Sequence, residues 1–397
     1  MSGRKECGLN FYSQHTTQYS QLVNGEFKLK VLHVISSAGF YGAESVVLDL
    51  LKGSKKNGVK PYLVCLKNRG KRDPVLYTRA VEQGVRGEVI TCRSKFDLKA
   101  VSYIREAIAR ERTDIVHTHN YKSDLYGFIA ARISRVPVMA TVHGWTGEDN
   151  KVKFYEFLDK WVIKHMDLLT AVSFPIFSEL LDRGVKGEKV LLMPNAVDTM
   201  SFDPISGDKG LRKKLGLERA LVVGTVGRLS PEKNQIGLLK AFKEISSNET
   251  NARLLLVGDG KLKDELKNRA GALGLEDKTV FAGEQEDMTS VYKCMDMFIL
   301  PSLTEGTPIA LLEAMSMALP VVAANVGGVS RVLKEDTGVL VAPGDIKELS
   351  GSILELVRDS FLRQRLGERA RQSIRERFSL EKNSEKYREI YEGLLGS

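Results

Sequence analysis

The chain has 397 residues, of which 43% are hydrophobic and 27% charged, a composition typical of globular proteins. No apolar run approaches the ~18 residues of a membrane-spanning helix. The net charge is +9, and it is uneven: residues 1–198 carry 30 Lys and Arg against 21 Asp and Glu, whereas residues 199–397 carry 29 of each. A chain of this length exceeds what one hydrophobic core usually holds, so we expect two domains.

The first 28 residues are rich in Ser, Thr, Gln and Tyr and lack the apolar core of a signal peptide. We expect a flexible tail over 1–28. The four cysteines are too irregularly spaced for a metal site or a disulfide framework, which favours free thiols in a reducing cytoplasm.

From residue 29 onward, short apolar runs typical of β-strands alternate with helical stretches in two series. The first series is LKVLHVI, PYLVCL, GEVIT, DIVHTH, PVMATV, DLLTAV and KVLLMP; the second is ALVVGTV, RLLLVG, TVFAG, MFILP, PVVAA and GVLVA. Apolar strands alternating with helices indicate parallel sheets covered on both faces. We therefore predict two doubly wound α/β domains, 29–198 and 199–378, with the break in the turn-rich segment 197–210.

Unusual polar and glycine-containing segments follow the carboxyl ends of these strands. They are GFYGAE, His117 with His119, and HGW in the first series, and GRLSPEKN, SLTEGTP and NVGG in the second. Ligands of open α/β sheets bind at this edge. Two such domains facing each other across a cleft would bind two substrates, one on each domain.

The segment TEGTPIALLEA places Glu305 before an apolar helix and Glu313 inside it. A carboxylate in such surroundings needs a partner. Thr307 is expected to cap the helix and Pro308 to occupy its first helical position, so that backbone N–H groups attract an anion. Arg228 and Lys233 add two cations suited to a diphosphate. The chain has neither a P-loop nor an Asp-x-Asp pair, so no metal is expected at this site.

These segments together resemble glycosyltransferase family 4. GRLSPEKN and PSLTEGTPIALLEAMSMALPVVAANVGG match the donor-binding half of that family, including its Glu-(seven residues)-Glu signature, while GFYGAE, VHTHNYKSDLYG, HGW and PNAVD match its first-domain motifs. The resemblance runs from about residue 29 to the C-terminus. It implies the two-domain GT-B fold, a retaining, nucleotide-sugar-dependent transferase, and a final helix over 379–395 that crosses back to the first domain.

The resemblance also implies the roles of particular residues. Glu305 would contact the hydroxyls of the donor sugar and Glu313 the ribose, while Arg228 and Lys233 would hold the diphosphate. The implied donor-binding set is Gly42, Arg228, Lys233, Glu305, Gly306, Thr307, Pro308 and Glu313. His143 joins Glu305, Arg228 and Lys233 as catalytic, and His119 and Tyr41 lie on the acceptor side.

Two positions depart from the family pattern. Tyr41 stands where many relatives have Gly, which can alter the acceptor side. Ala318 stands where relatives often have Gly, and we expect only packing to be affected.

The implied reaction moves a sugar from a nucleoside diphosphate, UDP being favoured, to an acceptor hydroxyl with retention of configuration. A polysaccharide or glycolipid acceptor is expected. The basic segments 52–60 and 67–72 suggest a peripheral position on an anionic membrane surface, although a solvated basic face explains them equally well. They do not interleave aromatic residues with charges, so nucleic acid is not expected as a partner.

Two other classes remain open from the sequence. A sugar-nucleotide epimerase can share the architecture and would need no acceptor, and a basic protein that binds a membrane or polymer without catalysis is the other. The second is disfavoured because Arg228, Lys233, Glu305 and Glu313 are all present.

Overall fold

The computed structural model describes residues 29–37, 39, 42–93, 97–144, 161–207 and 210–396. The expected tail, 1–28, lies outside the described residues, and so does Tyr41. None of the helices in the described ranges is long and apolar enough to cross a membrane. The chain divides into two compact units, the first comprising Met1–Ala171, Phe177–Met193 and Ser384–Ser397, and the second Val172–Ile176 and Pro194–Asn383.

The first unit contains a parallel sheet of seven strands in the order β3-β2-β1-β4-β5-β6-β7. Its strands are β1 Leu29–Ser36, β2 Val59–Asn68, β3 Arg86–Cys92, β4 Ile115–Thr118, β5 Val138–Val142, β6 Leu168–Ala171 and β7 Val190–Leu192. The helices of this part of the chain are α1 Gly42–Lys56, α2 Val75–Glu82, α3 Leu98–Glu111, α4 Tyr121–Ser134 and α5 Phe174–Asp182. The strand order reverses between β1 and β4, which is where sheets of this class bind ligands.

The second unit contains a parallel sheet of six strands in the order β10-β9-β8-β11-β12-β13. Its strands are β8 Leu221–Val226, β9 Ala252–Val257, β10 Thr279–Gly283, β11 Met297–Leu300, β12 Val321–Ala324 and β13 Val339–Val341. Its helices are α6 Gly210–Lys214, α7 Gln235–Asn248, α8 Lys263–Ala272, α9 Met288–Lys293, α10 Ile309–Ser316, α11 Val329–Val332, α12 Ile346–Arg358 and α13 Ser360–Arg377. All thirteen predicted strands are present, and the predicted pair of doubly wound domains is confirmed.

The last helix, α14, spans Leu380–Leu395. Tyr387, Ile390 and Tyr391 on this helix belong to the same hydrophobic cluster as Leu29 and Val31 of β1. The apolar face of the C-terminal helix therefore completes the core of the first unit. Its burial stabilises the fold by about 25 cal/mol per Å² of apolar surface.

Helix α10 buries most of its circumference, with Leu311, Leu312, Ala314 and Met315 in the core of the second unit. It ends where Leu319 N–H donates to the Ala314 carbonyl and Ala318 N–H to the Met315 carbonyl, each at 3.1 Å. This closing pattern requires a left-handed residue, and Ala318 has φ 58°. The expectation that Ala318 affects packing alone was wrong, because the backbone conformation itself favours glycine there.

Replacing Ala318 by Gly is expected to stabilise the protein by about 0.5–1 kcal/mol, since relief of left-handed strain exceeds the extra chain entropy of glycine in the unfolded state. Ala314→Gly, in the middle of the same helix, is the matched control and should destabilise by about 1 kcal/mol. Denaturant unfolding measures both changes. Equal destabilisation by the two substitutions would contradict the strain at Ala318.

Candidate active site

The loop after β8 carries Arg228 and Lys233, and several hydrogen bonds fix its shape. It ends in a short 3-10 turn, Pro231–Lys233, followed by Asn234 with φ 51°. The Asn234 side chain accepts from Gly237 N–H at 3.2 Å and so caps α7. Its amide group donates to the Pro301 carbonyl at 3.2 Å, which holds the loop against the end of β11.

The loop after β11 presents Glu305 to Lys233. Lys233 Nζ lies 2.6 Å from Glu305 Oε1, and Ser302 Oγ donates to the same oxygen at 2.7 Å. Only 8% of the Glu305 side chain is exposed, so its charge depends on these donors. The structure therefore brings together two of the residues expected to bind the donor.

Arg228 lies on the same loop as Lys233 but is held less closely. Its side chain is 57% exposed, and its nearest carboxylate is that of Glu232, 4.0 Å away. An exposed pair at this distance contributes little free energy. The guanidinium can therefore turn toward an incoming anion at small cost.

The start of α10 differs from the expectation in its cap. Pro308 occupies the N-cap position and no side chain caps the helix. The predicted cap by Thr307 was wrong, because the Thr307 hydroxyl donates to the Val172 carbonyl at 2.7 Å. The Asn195 side chain donates to the Thr307 carbonyl at 2.8 Å. Thr307 is therefore held through both its hydroxyl and its carbonyl. Asn195 belongs to the PNAVD motif, but nothing in that motif indicated this contact.

Gly306 is packed against the NVGG segment that follows β12. Gly328 N–H donates to the Gly306 carbonyl at 2.9 Å. Gly327 has φ 53°, and a Cβ there would lie 1.7 Å from the Glu305 carbonyl oxygen. Only glycine allows this approach. Gly327 therefore helps to determine the conformation of the Glu305 loop. The sequence indicated only that NVGG follows a strand, and it did not indicate this contact.

Glu313 lies on α10 and is partly buried. The Tyr292 hydroxyl donates to Glu313 Oε2 at 2.7 Å. A tyrosine of α9 is therefore one partner of the carboxylate that seemed misplaced in an apolar helix. Nothing in the sequence around Tyr292 distinguishes it from a core aromatic residue.

In the first unit, the expected site residues follow the carboxyl ends of three strands. Gly42 begins α1 and is exposed. His119 follows β4 and is 1% exposed, and its Nε2 lies 3.0 Å from His33 Nδ1. His143 follows β5, is partly buried, and its ring centroid lies 6.0 Å from that of His119. The structure thus brings His119 and His143 together, and their proposed roles stay predictions.

The buried ring of His117 joins the sheet to the C-terminal helix. Its Nδ1 lies 2.8 Å from the Tyr391 hydroxyl and its Nε2 lies 2.7 Å from Thr141 Oγ1. His33 lies beside His117 and His119, and one ring nitrogen of each of the three lies within 4.8 Å of the others. Because both nitrogens of His117 are already hydrogen-bonded, a metal would have to displace Tyr391 or Thr141.

Burial keeps these histidines neutral. It lowers the pKa of His33 to about 3 and that of His143 to about 4. The pKa values of His117 and His119 are also well below the usual value, first because of burial and then because of the neighbouring imidazoles. A neutral imidazole can both donate and accept a hydrogen bond, which suits the network around His117.

Comparison with known proteins identifies the family to which the chain belongs. Residues 40–200 match the family model described as Glycosyltransferase Family 4, and residues 208–373 match the model described as Glycosyl transferases group 1. The chain is 32% identical over 307 residues to the UDP-Gal:alpha-D-GlcNAc-diphosphoundecaprenol alpha-1,3-galactosyltransferase of Escherichia coli, covering 74% of this chain and 79% of that protein. It is 28% identical to the N-acetyl-alpha-D-glucosaminyl L-malate synthase of Bacillus anthracis, covering 76% and 80%.

Among solved structures, Anabaena HepE in complex with UDP superposes with a TM-score of 0.80 at 23% identity, covering 92% of this chain and all of that one. This likeness shows the GT-B fold. Together with the sequence relatives, it confirms the resemblance: the chain belongs to glycosyltransferase family 4 and is a nucleotide-sugar-dependent glycosyltransferase.

The neutral histidines make the first unit sensitive to mild acid. His33, His117 and His119 bind protons near pH 6.5 when unfolded but not when folded, so their contribution to stability is complete above pH 6.5 and is lost as the pH falls. Between pH 6.5 and 5, the free energy of unfolding should drop by up to ~1.4 kcal/mol per pH unit for each of them. Both tryptophans, Trp145 and Trp161, lie in this half of the chain, so tryptophan fluorescence during denaturation reports the change.

His33→Leu is the accompanying variant. It should reduce the pH slope by about one proton, whatever it does to stability at pH 7. Most carboxylates titrate below this range. A stability that does not vary between pH 7 and 5 would contradict the neutral network.

Proposed function

We propose that this protein transfers a sugar from a UDP-sugar to an acceptor hydroxyl with retention of the anomeric configuration. The observation that carries the proposal is the contact between Lys233 and Glu305, 2.6 Å apart at the carboxyl edge of the second sheet. A cation and a carboxylate fixed side by side suit a ligand that is anionic at one end and rich in hydroxyls at the other. The relative from Escherichia coli, whose name specifies UDP-Gal as donor, supports UDP, as does the UDP bound to Anabaena HepE.

In this proposal Lys233 and Arg228 bind the diphosphate. Both lie on the loop after β8, and the Arg228 side chain, which is exposed and lies 4.0 Å from Glu232, can turn toward the ligand after it binds. The amino end of α10 adds the partial positive charge of its free N–H groups, near Gly306, Thr307 and Pro308. As the bond to the sugar breaks, negative charge grows on the leaving diphosphate, and these groups stabilise it. Because the protein supplies this positive charge itself, the proposed reaction needs no divalent cation.

The remaining carboxylates and histidine act on the sugars. Glu305 accepts hydrogen bonds from donor hydroxyls, and Glu313 accepts them from the ribose. A donor phosphate oxygen takes the proton of the acceptor hydroxyl, so the new bond forms on the face that the diphosphate leaves. His143 hydrogen-bonds the sugar or phosphate as a neutral imidazole, while Gly42 allows close approach of the backbone. His119 and Tyr41 are assigned to the acceptor side.

We further propose that the second unit binds the donor and the first unit binds the acceptor, within polysaccharide or glycolipid assembly. The Escherichia coli relative is named for a diphosphoundecaprenol acceptor, which supports a lipid-linked one here. The protein would then work at the inner face of the membrane. Its basic first half would bind anionic lipid through residues that share an edge with the acceptor site.

The two basic segments, 52–60 and 67–72, lie at different ends of β2. Lys60 and Lys67 stand near opposite ends of the extended strand β2, about 23 Å apart at ~3.3 Å per residue. The two groups therefore act separately, since charges are screened over ~10 Å at 0.1 M salt. Arg69, Lys71 and Arg72 follow the carboxyl end of β2 and are exposed. That edge also carries His119 and His143, so we assign lipid binding to this second group.

Lys233→Ala and Glu305→Gln should each lower turnover at least ~100-fold, the effect of losing one positioned electrostatic contact. Release of UDP from UDP-sugars in the presence of acceptor measures turnover, with EDTA present because no divalent cation is required. Arg269→Ala breaks an exposed ion pair to Glu265 on α8 and is the matched control, expected to leave turnover unchanged. Near-normal turnover in either site variant would remove the proposed donor site.

Sedimentation with phosphatidylglycerol vesicles tests the lipid proposal. The triple variant Arg69→Glu, Lys71→Glu, Arg72→Glu should lose binding, because each basic residue contributes about 1 kcal/mol at an anionic surface. The control with the same charge change is Lys52→Glu, Lys56→Glu, Lys60→Glu, which should keep most of the binding. Binding of the wild-type protein and of the control variant to these vesicles should weaken at high salt. Equal sedimentation with neutral vesicles, or release by the control variant alone, would contradict the assignment.

A further inference from the structure

Tyr292 is a fully buried tyrosine whose hydroxyl reaches the proposed donor site. It lies on α9, and its ring packs edge-on against Phe202 and Phe298, with ring centroids 6.1 and 5.9 Å apart. This packing fixes the position of the phenol. The hydroxyl lies 2.7 Å from Glu313 Oε2 and 3.3 Å from the Ala310 carbonyl.

The phenol has a single proton, and the geometry decides which oxygen receives it. A distance of 2.7 Å is normal for a hydrogen bond from a hydroxyl to a carboxylate, whereas 3.3 Å to a carbonyl is long. Burial, and then the charge of Glu313, raise the pKa of Tyr292 well above its usual value. The hydroxyl therefore stays protonated and donates to Glu313.

We infer that Tyr292 is a positioning residue for recognition of the donor ribose: its hydroxyl holds the Glu313 carboxylate in the orientation that accepts the ribose diol. The inference rests on the proposed function, in which Glu313 binds the ribose. A carboxylate has about four acceptor positions, and the bond from Tyr292 uses one of them. A phenol is also a neutral donor, and it leaves the negative charge of Glu313 in place to attract the diol.

Without Tyr292, the Glu313 carboxylate would lose one of the contacts that orient it, and part of that ordering would fall to the ligand. Fixing a flexible side chain on binding costs free energy, and the cost would fall on ligands that use the carboxylate. The predicted signature is therefore selective. Affinity should fall for a nucleotide that has the ribose hydroxyls and stay the same for one that lacks them.

Titration calorimetry with UDP and with 2′,3′-dideoxy-UDP tests this selectivity. Tyr292→Phe should weaken UDP binding about five- to tenfold, the scale of the net contribution of one ordinary hydrogen bond, and leave dideoxy-UDP binding unchanged. In a Glu313→Ala background the same substitution should have no further effect on UDP, since the two residues act as a unit. Tyr126→Phe removes the hydroxyl of another buried tyrosine, in the first unit, and should leave both affinities unchanged.

Unchanged UDP affinity in Tyr292→Phe, or an equal loss for both nucleotides, would overturn the inference, the second result indicating a purely structural role. The proposed function fails in a different way. If the wild-type protein binds neither nucleotide, the donor site is wrong. If it binds both equally well, Glu313 does not recognise the ribose, and the role of Tyr292 falls with it.

Discussion

The pairing of β8 with β11 in a parallel sheet is the constraint on which the candidate site depends. Lys233 and Glu305 are 72 residues apart in the chain, but each follows one of these neighbouring strands, so the topology places them at one edge. Breaking a buried pair by removing one partner costs more than the pair itself contributes, since a buried charge is left alone. The pair therefore holds the two loops together until a ligand offers replacement partners.

The loops around this pair are fixed by hydrogen bonds from side chains to backbone carbonyls and by one close approach at a glycine. Asn234 joins the first loop to the end of β11, Thr307 is held through its hydroxyl and its carbonyl, and Gly327 lets a second loop lie against Glu305. Loops held in this way keep their polar groups in position, and groups positioned in advance are effective in catalysis because they need no rearrangement as charge develops. In the first unit, a hydrogen bond between neutral groups has a similar structural role, because His117 of β4 contacts the Tyr391 hydroxyl of α14.

The sequence predicted the strands because the buried strands of parallel sheets are continuous apolar runs bounded by turn residues. The location of Lys233 and Glu305 at one edge of the sheet was also predictable, because their motifs follow strand ends. Tyr292 and His33 were not, since each looks like an ordinary core residue until the fold supplies its neighbour. Thr307 was predicted as a cap from local preference, but a carbonyl distant in the chain took its hydroxyl. The left-handed turn at Ala318 shows the same limit, because a sequence pattern does not give backbone dihedral angles.

The central claim is that UDP binds where the loops after β8 and β11 meet. Hydrogen–deuterium exchange of the wild-type protein with and without UDP tests it most directly, because binding slows exchange at the amides that hold the ligand. We expect slower exchange in peptides covering 227–237 and 302–316, with little change in α8 and α12. Unchanged exchange in both loops at saturating UDP, or protection confined to the first unit, would contradict the account.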